Sequence, residues 1–157
     1  MSDEEFQAIQ EGSLTYPAQA GSLKKGDHIV IDDHPCKVVE LTTAKTGKHG
    51  HAKASITAID IFTGKKLELS TPTSHNVDCP NVVRNEYELV SIDGNGEFVT
   101  FIDENGEYRE DLKLPSDTDN DWVKPLKELY EKGGNILITV VCALGQEHIL
   151  AFREDKK

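Results

Sequence analysis

Two runs rich in β-branched residues, 36–43 (CKVVELTT) and 54–62 (ASITAIDIF), flank the polar stretch Lys45-Thr46-Gly47-Lys48-His49-Gly50-His51-Ala52-Lys53. Runs of that composition on either side of a glycine-containing break mark a β-hairpin. This one is long enough to set the architecture around it. The expected tip is residues 46–51, where Gly47 and Gly50 admit the positive φ angles of a tight turn and hold Lys48 between them. A lysine at such an apex carries its ammonium away from the body of the protein, as a probe entering another molecule's pocket must.

Upstream, residues 1–15 are polar and acidic without a sustained period, which predicts a disordered tail, with order beginning near Tyr16-Pro17. Residues 23–27 read as a turn, 28–31 (HIVI) as a short strand and 32–35 (DDHP) as a second turn. Past the hairpin, Thr63-Gly64-Lys65 is a turn leading to a strand at 66–70, and the two prolines of 71–80 suit an edge strand or an irregular connection. Several short strands within about 65 residues, with no helical period among them, predict a small SH3-like barrel over residues 16–83.

A seam is expected at 82–85, followed by a second, mainly β domain over 84–153. Residues 86–92 alternate acidic and apolar side chains like a half-buried strand. The turn sequences DGNG (93–96) and DENG (103–106) bracket 98–102, so a three-stranded meander continues to Leu112. One helix is predicted over 119–131, capped by Asp119 or Asp121 and ended by Gly133-Gly134, with Pro125 limiting its upstream reach and Trp122 assigned to the core. Two further strands, 135–144 and 147–152, complete the strand count and helix position of a five-stranded OB-type barrel.

Charge separates the two halves. The chain carries a formal net charge of -11, yet residues 41–66 hold five lysines (Lys45, Lys48, Lys53, Lys65, Lys66) against Asp60 alone, a balance of +4. Residues 85–157 carry eight basic and seventeen acidic side chains, a balance of -9. An acidic body with one basic promontory is repelled from polyanions except through that promontory, which excludes general nucleic-acid binding and selects orientation. No apolar run is long enough to span a bilayer and the amino terminus is acidic, so a cytoplasmic protein is expected. Cys36, Cys79 and Cys142 are too dispersed for a disulfide framework or a zinc site and read as small hydrophobes.

Enzyme and metal readings fail on spacing, so neither a catalytic residue nor a bound metal is expected. Gly47-Lys48 resembles the end of a phosphate-binding loop, but the positions that need glycine and Ser or Thr hold Thr42 and His49. His49 and His51 supply two ligands with no nearby carboxylate. The acidic turns lack the ligand spacing of a calcium loop. No nucleophile elbow, Cys-His constellation or dinucleotide fingerprint is present.

The strings TAKTGKHGHAK (43–53), AIDIFTGKKLE (58–68) and SHNVDCP (74–80) resemble the eukaryotic translation initiation factor 5A family, the hypusine-containing translation factors. PCKVVE (35–40), RNEYELVSID (84–93) and DLKLP (111–115) extend the likeness over nearly the whole chain apart from the acidic tail. The resemblance implies an SH3-like domain followed by an OB domain. It implies that Lys48 accepts an aminobutyl group from spermidine through deoxyhypusine synthase and is then hydroxylated by deoxyhypusine hydroxylase, with no other cofactor. It further implies binding to the large ribosomal subunit beside the peptidyl-transferase centre. There the modified Lys48 would position the acceptor end of peptidyl-tRNA at stalled sites such as consecutive prolines, supporting elongation and termination. Lys45, Thr46, Gly47, His49, Gly50, His51 and Lys53 are the expected supports around it. A cytoplasmic factor with a nuclear pool fits that role. The competing reading is an unmodified RNA-binding module of the same fold acting off the ribosome.

Overall fold

The computed structural model describes residues 14–45 and 52–156. The expectations for the tail over 1–13 and for the tip residues 46–51 therefore lie outside the described residues. The chain is mainly β and forms two compact units, one comprising residues up to Val82 together with Ala143–Gly145, the other Val83–Cys142 and Gln146 onward.

In the first unit, β2 (His28–Ile31), β3 (His34–Lys45), β4 (Ala52–Asp60) and β5 (Lys66–Pro72) form an antiparallel sheet in that order, while β1 (Thr15–Gln19) pairs with β6 (Asn76–Pro80). Sequence alternation explains the inner face. Along β4, Ala54, Ile56 and Ala58 are buried while Lys53 and Ser55 are exposed, and across the ladder Val38 and Leu41 of β3 meet Ala58 and Ile56. Small residues on both sides of a large one leave room for the sheet to curl over its own core, as a small barrel requires. Ala20, Leu23, Ile29, Ile31, Cys36 and Cys79 fill the remainder.

The β2–β3 connection is tighter than the expected turn at 32–35. Ile31 pairs directly with His34, and only Asp32 and Asp33 turn, with φ of 49° and 64°. Aspartate tolerates this left-handed region better than most residues, and a two-residue turn of this hand matches strand twist. His34 and Pro35 thereby become part of β3.

The second unit orders its strands β11-β10-β7-β8-β9. The meander of β7 (Val83–Ile92), β8 (Val99–Ile102) and β9 (Tyr108–Arg109) lies where expected and its two turns are built alike. Its third strand, however, ends at Arg109 rather than continuing to Leu112, the following segment bonding instead to the start of β8 through the Val99 N–H and Leu112 O. Asp93 Oδ1 accepts a hydrogen bond from the Glu97 N–H at 3.0 Å, and Asp103 Oδ1 does the same for Glu107 at 2.9 Å. β10 (Ile136–Ala143) returns to pair with β7, and β11 (Gln146–Glu154) follows it. The core contains Tyr87 stacked on Phe101, with ring centroids 5.1 Å apart, along with Val99, Leu126, Ile136, Ile138 and Ile149. β9 and β11 are the two ends of this sheet, and side chains bridge them. Arg109 of β9 donates from Nη2 to Glu147 Oε1 of β11 at 3.0 Å and to Asp111 Oδ2 at 2.7 Å, with its guanidinium 5.1 Å from the Phe101 ring centre. The hydrogen bonds from Arg109 hold the Asp111 carboxyl below its usual range.

The helix also departs from expectation. The helix α1 is Val123–Glu131, four residues shorter at its start than predicted, and no side chain caps it. The preceding segment makes competing local bonds: Ser116 Oγ accepts from the Thr118 N–H, and Asn120 Nδ2 donates to the Ser116 carbonyl. Short polar side chains offer the backbone such alternatives to helix. Pro125 falls in the first turn, where a missing N–H leaves no intrahelical bond unmade. At the other end the predicted glycines do stop the helix. Gly133, at φ 77°, donates to Tyr130 O and Gly134 donates to Leu129 O. Val123 and Leu126 are buried, and Trp122 packs against the core beside Phe152.

Candidate functional site

The β3–β4 hairpin runs beyond the core that supports it. On the inner face the core packing ends at Leu41 and Ala54, after which Thr42, Thr43, Ala44 and Lys45 are all exposed on β3. Pairing nevertheless continues to the last described residues, Thr43 with Ala54, Ala44 with Lys53 and Lys45 with Ala52. Twelve residues of β3 span about 40 Å at the usual strand rise. The segment 46–51 connects the two strands at this projecting end.

Among the expected site residues, Lys45 and Lys53 are described, and the ladder gives them different roles. Lys45 lies opposite Ala52, which shares parity with the inward-facing Ala54 and Ile56, whereas Lys53 lies opposite Ala44 on the outer face. The two exposed lysines therefore stand on opposite faces of the hairpin, one on each side of its end. Such a pair offers positive charge to a polyanion approaching from either face. Thr46, Gly47, Lys48, His49, Gly50 and His51 lie outside the described residues.

What steadies this end is a relay of backbone hydrogen bonds that the sequence did not reveal. The Thr73 N–H donates to Ala52 O at 2.9 Å, and the Gly21 N–H in turn donates to Thr73 O at 2.9 Å, with the Ala20 N–H reaching His75 O nearby. Gly21 sits in the short 3-10 turn Ala20–Ser22. A Cβ there would stand 2.9 Å from Thr73 Cβ and 3.2 Å from Thr73 O, so only glycine fits without displacement. A lone glycine between Ala20 and Ser22 carries no sequence signal for such a close approach.

At the opposite end of β4 lies the buried carboxylate of Asp60, 2% exposed. Its Oδ1 accepts from the N–H groups of Phe62 (2.8 Å) and Thr63 (3.2 Å), and its Oδ2 accepts from His34 Nδ1 at 2.7 Å. Burial pushes its pKa up, but those hydrogen bonds outweigh it and leave the carboxyl below its ordinary value. Cys36 is next to this pair, and a cysteine, histidine and aspartate in proximity invite comparison with a nucleophilic triad. The geometry denies it. Cys36 is fully buried, its Sγ donates to the His34 carbonyl rather than to the ring, and burial together with the Asp60 charge pushes its pKa up to about 11. Among the described residues no group of three or more His, Cys, Asp and Glu side chains is arranged to hold a metal ion, and no helix is long and apolar enough to cross a membrane.

Comparison with known proteins covers both units. The family of translation initiation factor 5A-like N-terminal domains matches residues 13–75, and the family described as eukaryotic elongation factor 5A hypusine, DNA-binding OB fold, matches residues 81–153. Eukaryotic translation initiation factor 5A-3 of Arabidopsis thaliana is 50% identical over 98% of this chain and 98% of its own length. The factor 5A of Dianthus caryophyllus is 49% identical over 96% of this chain and 92% of its own. Among solved structures, an initiation factor 5A family protein of Naegleria fowleri aligns with a TM-score of 0.82 and 51% identity, covering 90% of this chain and 99% of its own. Factor 5A of Methanococcus jannaschii aligns at 0.69 with 30% identity, covering 90% and 96%.

Proposed function

This chain belongs to the translation initiation factor 5A family and has a translation-factor role, and from that premise we propose that it works on the ribosome through Lys48, carried as hypusine at the end of the β3–β4 hairpin. The observation that supports this reading is the hairpin itself, whose strands stay paired past the core to Lys45 and Ala52, with exposed Lys45 and Lys53 on its two faces and the sequence TGKHGH (46–51) joining them.

The chemistry follows from reach and charge. An aminobutyl group taken from spermidine by deoxyhypusine synthase lengthens Lys48 by about four carbons and adds a second cationic centre, and deoxyhypusine hydroxylase then adds a hydroxyl. A thin dication of that kind enters an RNA-lined cleft on the large subunit beside the peptidyl-transferase centre and meets phosphates there. Orienting the acceptor end of a poorly placed peptidyl-tRNA restores rate through positioning, with no chemical step performed by the factor. On this reading the protein is not an enzyme. It promotes peptide bonds at stalled sites such as consecutive prolines and supports elongation and termination. Lys45, Thr46, Gly47, His49, Gly50, His51 and Lys53 shape and support the tip. The acidic second unit meets protein rather than RNA, and the factor acts in the cytoplasm.

The test is Lys48→Arg, which keeps a positive charge but offers no primary amine for aminobutylation. The variant is expected to carry no modification by mass spectrometry of the peptide spanning residue 48 and to fail to stimulate synthesis of a polyproline reporter. Wild-type stimulation by this variant would overturn the reading that modified Lys48 carries the function, whereas RNA affinity indifferent to Lys48→Arg without any polyproline stimulation by the wild type would favour the unmodified RNA-binding module.

A further inference from the structure

The outer face of the second unit's sheet carries aromatic and acidic groups that neither the core nor the proposed tip chemistry uses. Ladder parity places Leu137, Glu88, Ile102 and Tyr108 in one row across β10, β7, β8 and β9. Tyr108 is 67% exposed, and at the far end of β8 Phe98 is also exposed. The register shift between Leu89 and Ser91 leaves Val90 of β7 exposed. Glu88 in the row and Glu110, two residues beyond Tyr108, are both exposed carboxylates.

An aromatic platform on an OB sheet would ordinarily suit single-stranded nucleic acid, whose bases stack on such rings. The charge here opposes that ligand, since the half of the chain from residue 85 onward carries a balance of -9. The same rings suit a cation, because the face of an aromatic ring is electronegative. This sheet already uses that attraction: Lys113 Nζ lies 5.0 Å from the Phe98 ring centre. We propose that the outer face of β7, β8 and β9, centred on Tyr108, docks an arginine-rich segment of a protein partner. A guanidinium lies over the Tyr108 ring, and neighbouring arginines pair with Glu88 and Glu110. Arginine suits the site better than lysine, because its planar group stacks on a ring and bonds a carboxylate at the same time.

The inference deepens, and rests on, the reading that the acidic unit meets protein. The test titrates a labelled oligoarginine peptide, and separately an oligouridine strand, against the full chain and follows anisotropy. Tyr108→Ala is expected to weaken peptide binding about tenfold, Tyr108→Phe to preserve it, and the Glu88→Gln/Glu110→Gln pair to weaken it by about as much. Asp117→Asn with Asp119→Asn removes equal charge from the β9–α1 connection and is expected to leave binding unchanged. Tyr108 is too exposed to support the core, so the variants are expected to keep the wild-type circular dichroism spectrum. Peptide binding indifferent to Tyr108→Ala, or equally weakened by the Asp117/Asp119 pair, would overturn this inference alone. Tighter binding of oligouridine, abolished in Tyr108→Ala, would overturn the underlying reading as well.

Discussion

Asp60 shows how far a single residue's role can lie from its place in a charge count. In the sequence it is the one acid among five lysines over 41–66, a partial offset to a basic patch. In the fold its carboxylate is buried and ties the β4–β5 turn to β3 by accepting from Phe62, Thr63 and His34. Charge counting missed it because burial is a tertiary property that only the closing of the turn over the strand creates. Asp60→Ala strands two backbone donors and is expected to lower stability by about 3 kcal/mol in urea unfolding. The pH dependence has a definite sign. The folded pKa lies below the ordinary 3.8, so the carboxylate's stabilisation is complete above that value and is lost as pH falls from there through the folded value. Unfolding free energies measured down that range are expected to converge for the wild type and Asp60→Asn; a gap that stays constant would show that the lowered pKa is not linked to folding.

Among the elements, the hairpins were the most legible, because alternation and turn chemistry are local. The β3–β4 pair, the meander with its twin Asp-x-Asn-Gly turns and the glycine stop of α1 all follow from short stretches read in isolation. The start of α1 did not, since Ser116 and Asn120 compete with the helix for the same backbone groups. Nor did the bridge from Arg109 to Glu147, which joins residues 38 apart in sequence across the ends of the sheet. Gly21 is the most consequential omission, as it lets the 3-10 turn approach Thr73 and so steadies Ala52 at the end of the projecting strand pair. Gly21→Ala is expected to lower stability by about 1–2 kcal/mol through overpacking. On the proposed function it would also slow aminobutylation of Lys48 by purified deoxyhypusine synthase, because a loosened strand end presents the acceptor lysine less often. Unchanged stability together with an unchanged modification rate would show that the relay plays no part in holding the tip.

For the whole molecule, the uneven charge carries a prediction separate from any single side chain. A protein of net charge -11 approaching RNA is repelled overall, so its orientation depends on the hairpin end, where residues 45–53 hold three lysines and no acid, while Lys65 and Lys66 lie at the other end of β4. Since Lys45 and Lys53 lie on opposite faces of that hairpin, both can meet phosphate only if RNA surrounds its end, as in a cleft, rather than lying along one side. Removing one lysine–phosphate pair reduces the slope of log affinity against log salt by about one. Ribosome association measured across a salt series is therefore expected to fall by about two units of slope in Lys45→Gln/Lys53→Gln, and by about one in either single variant. A decrease confined to one of the two lysines would mean that the hairpin rests on a surface with one face towards RNA. The cleft geometry, and with it the reach assigned to a modified Lys48, would then fail even though both lysines remained exposed and basic.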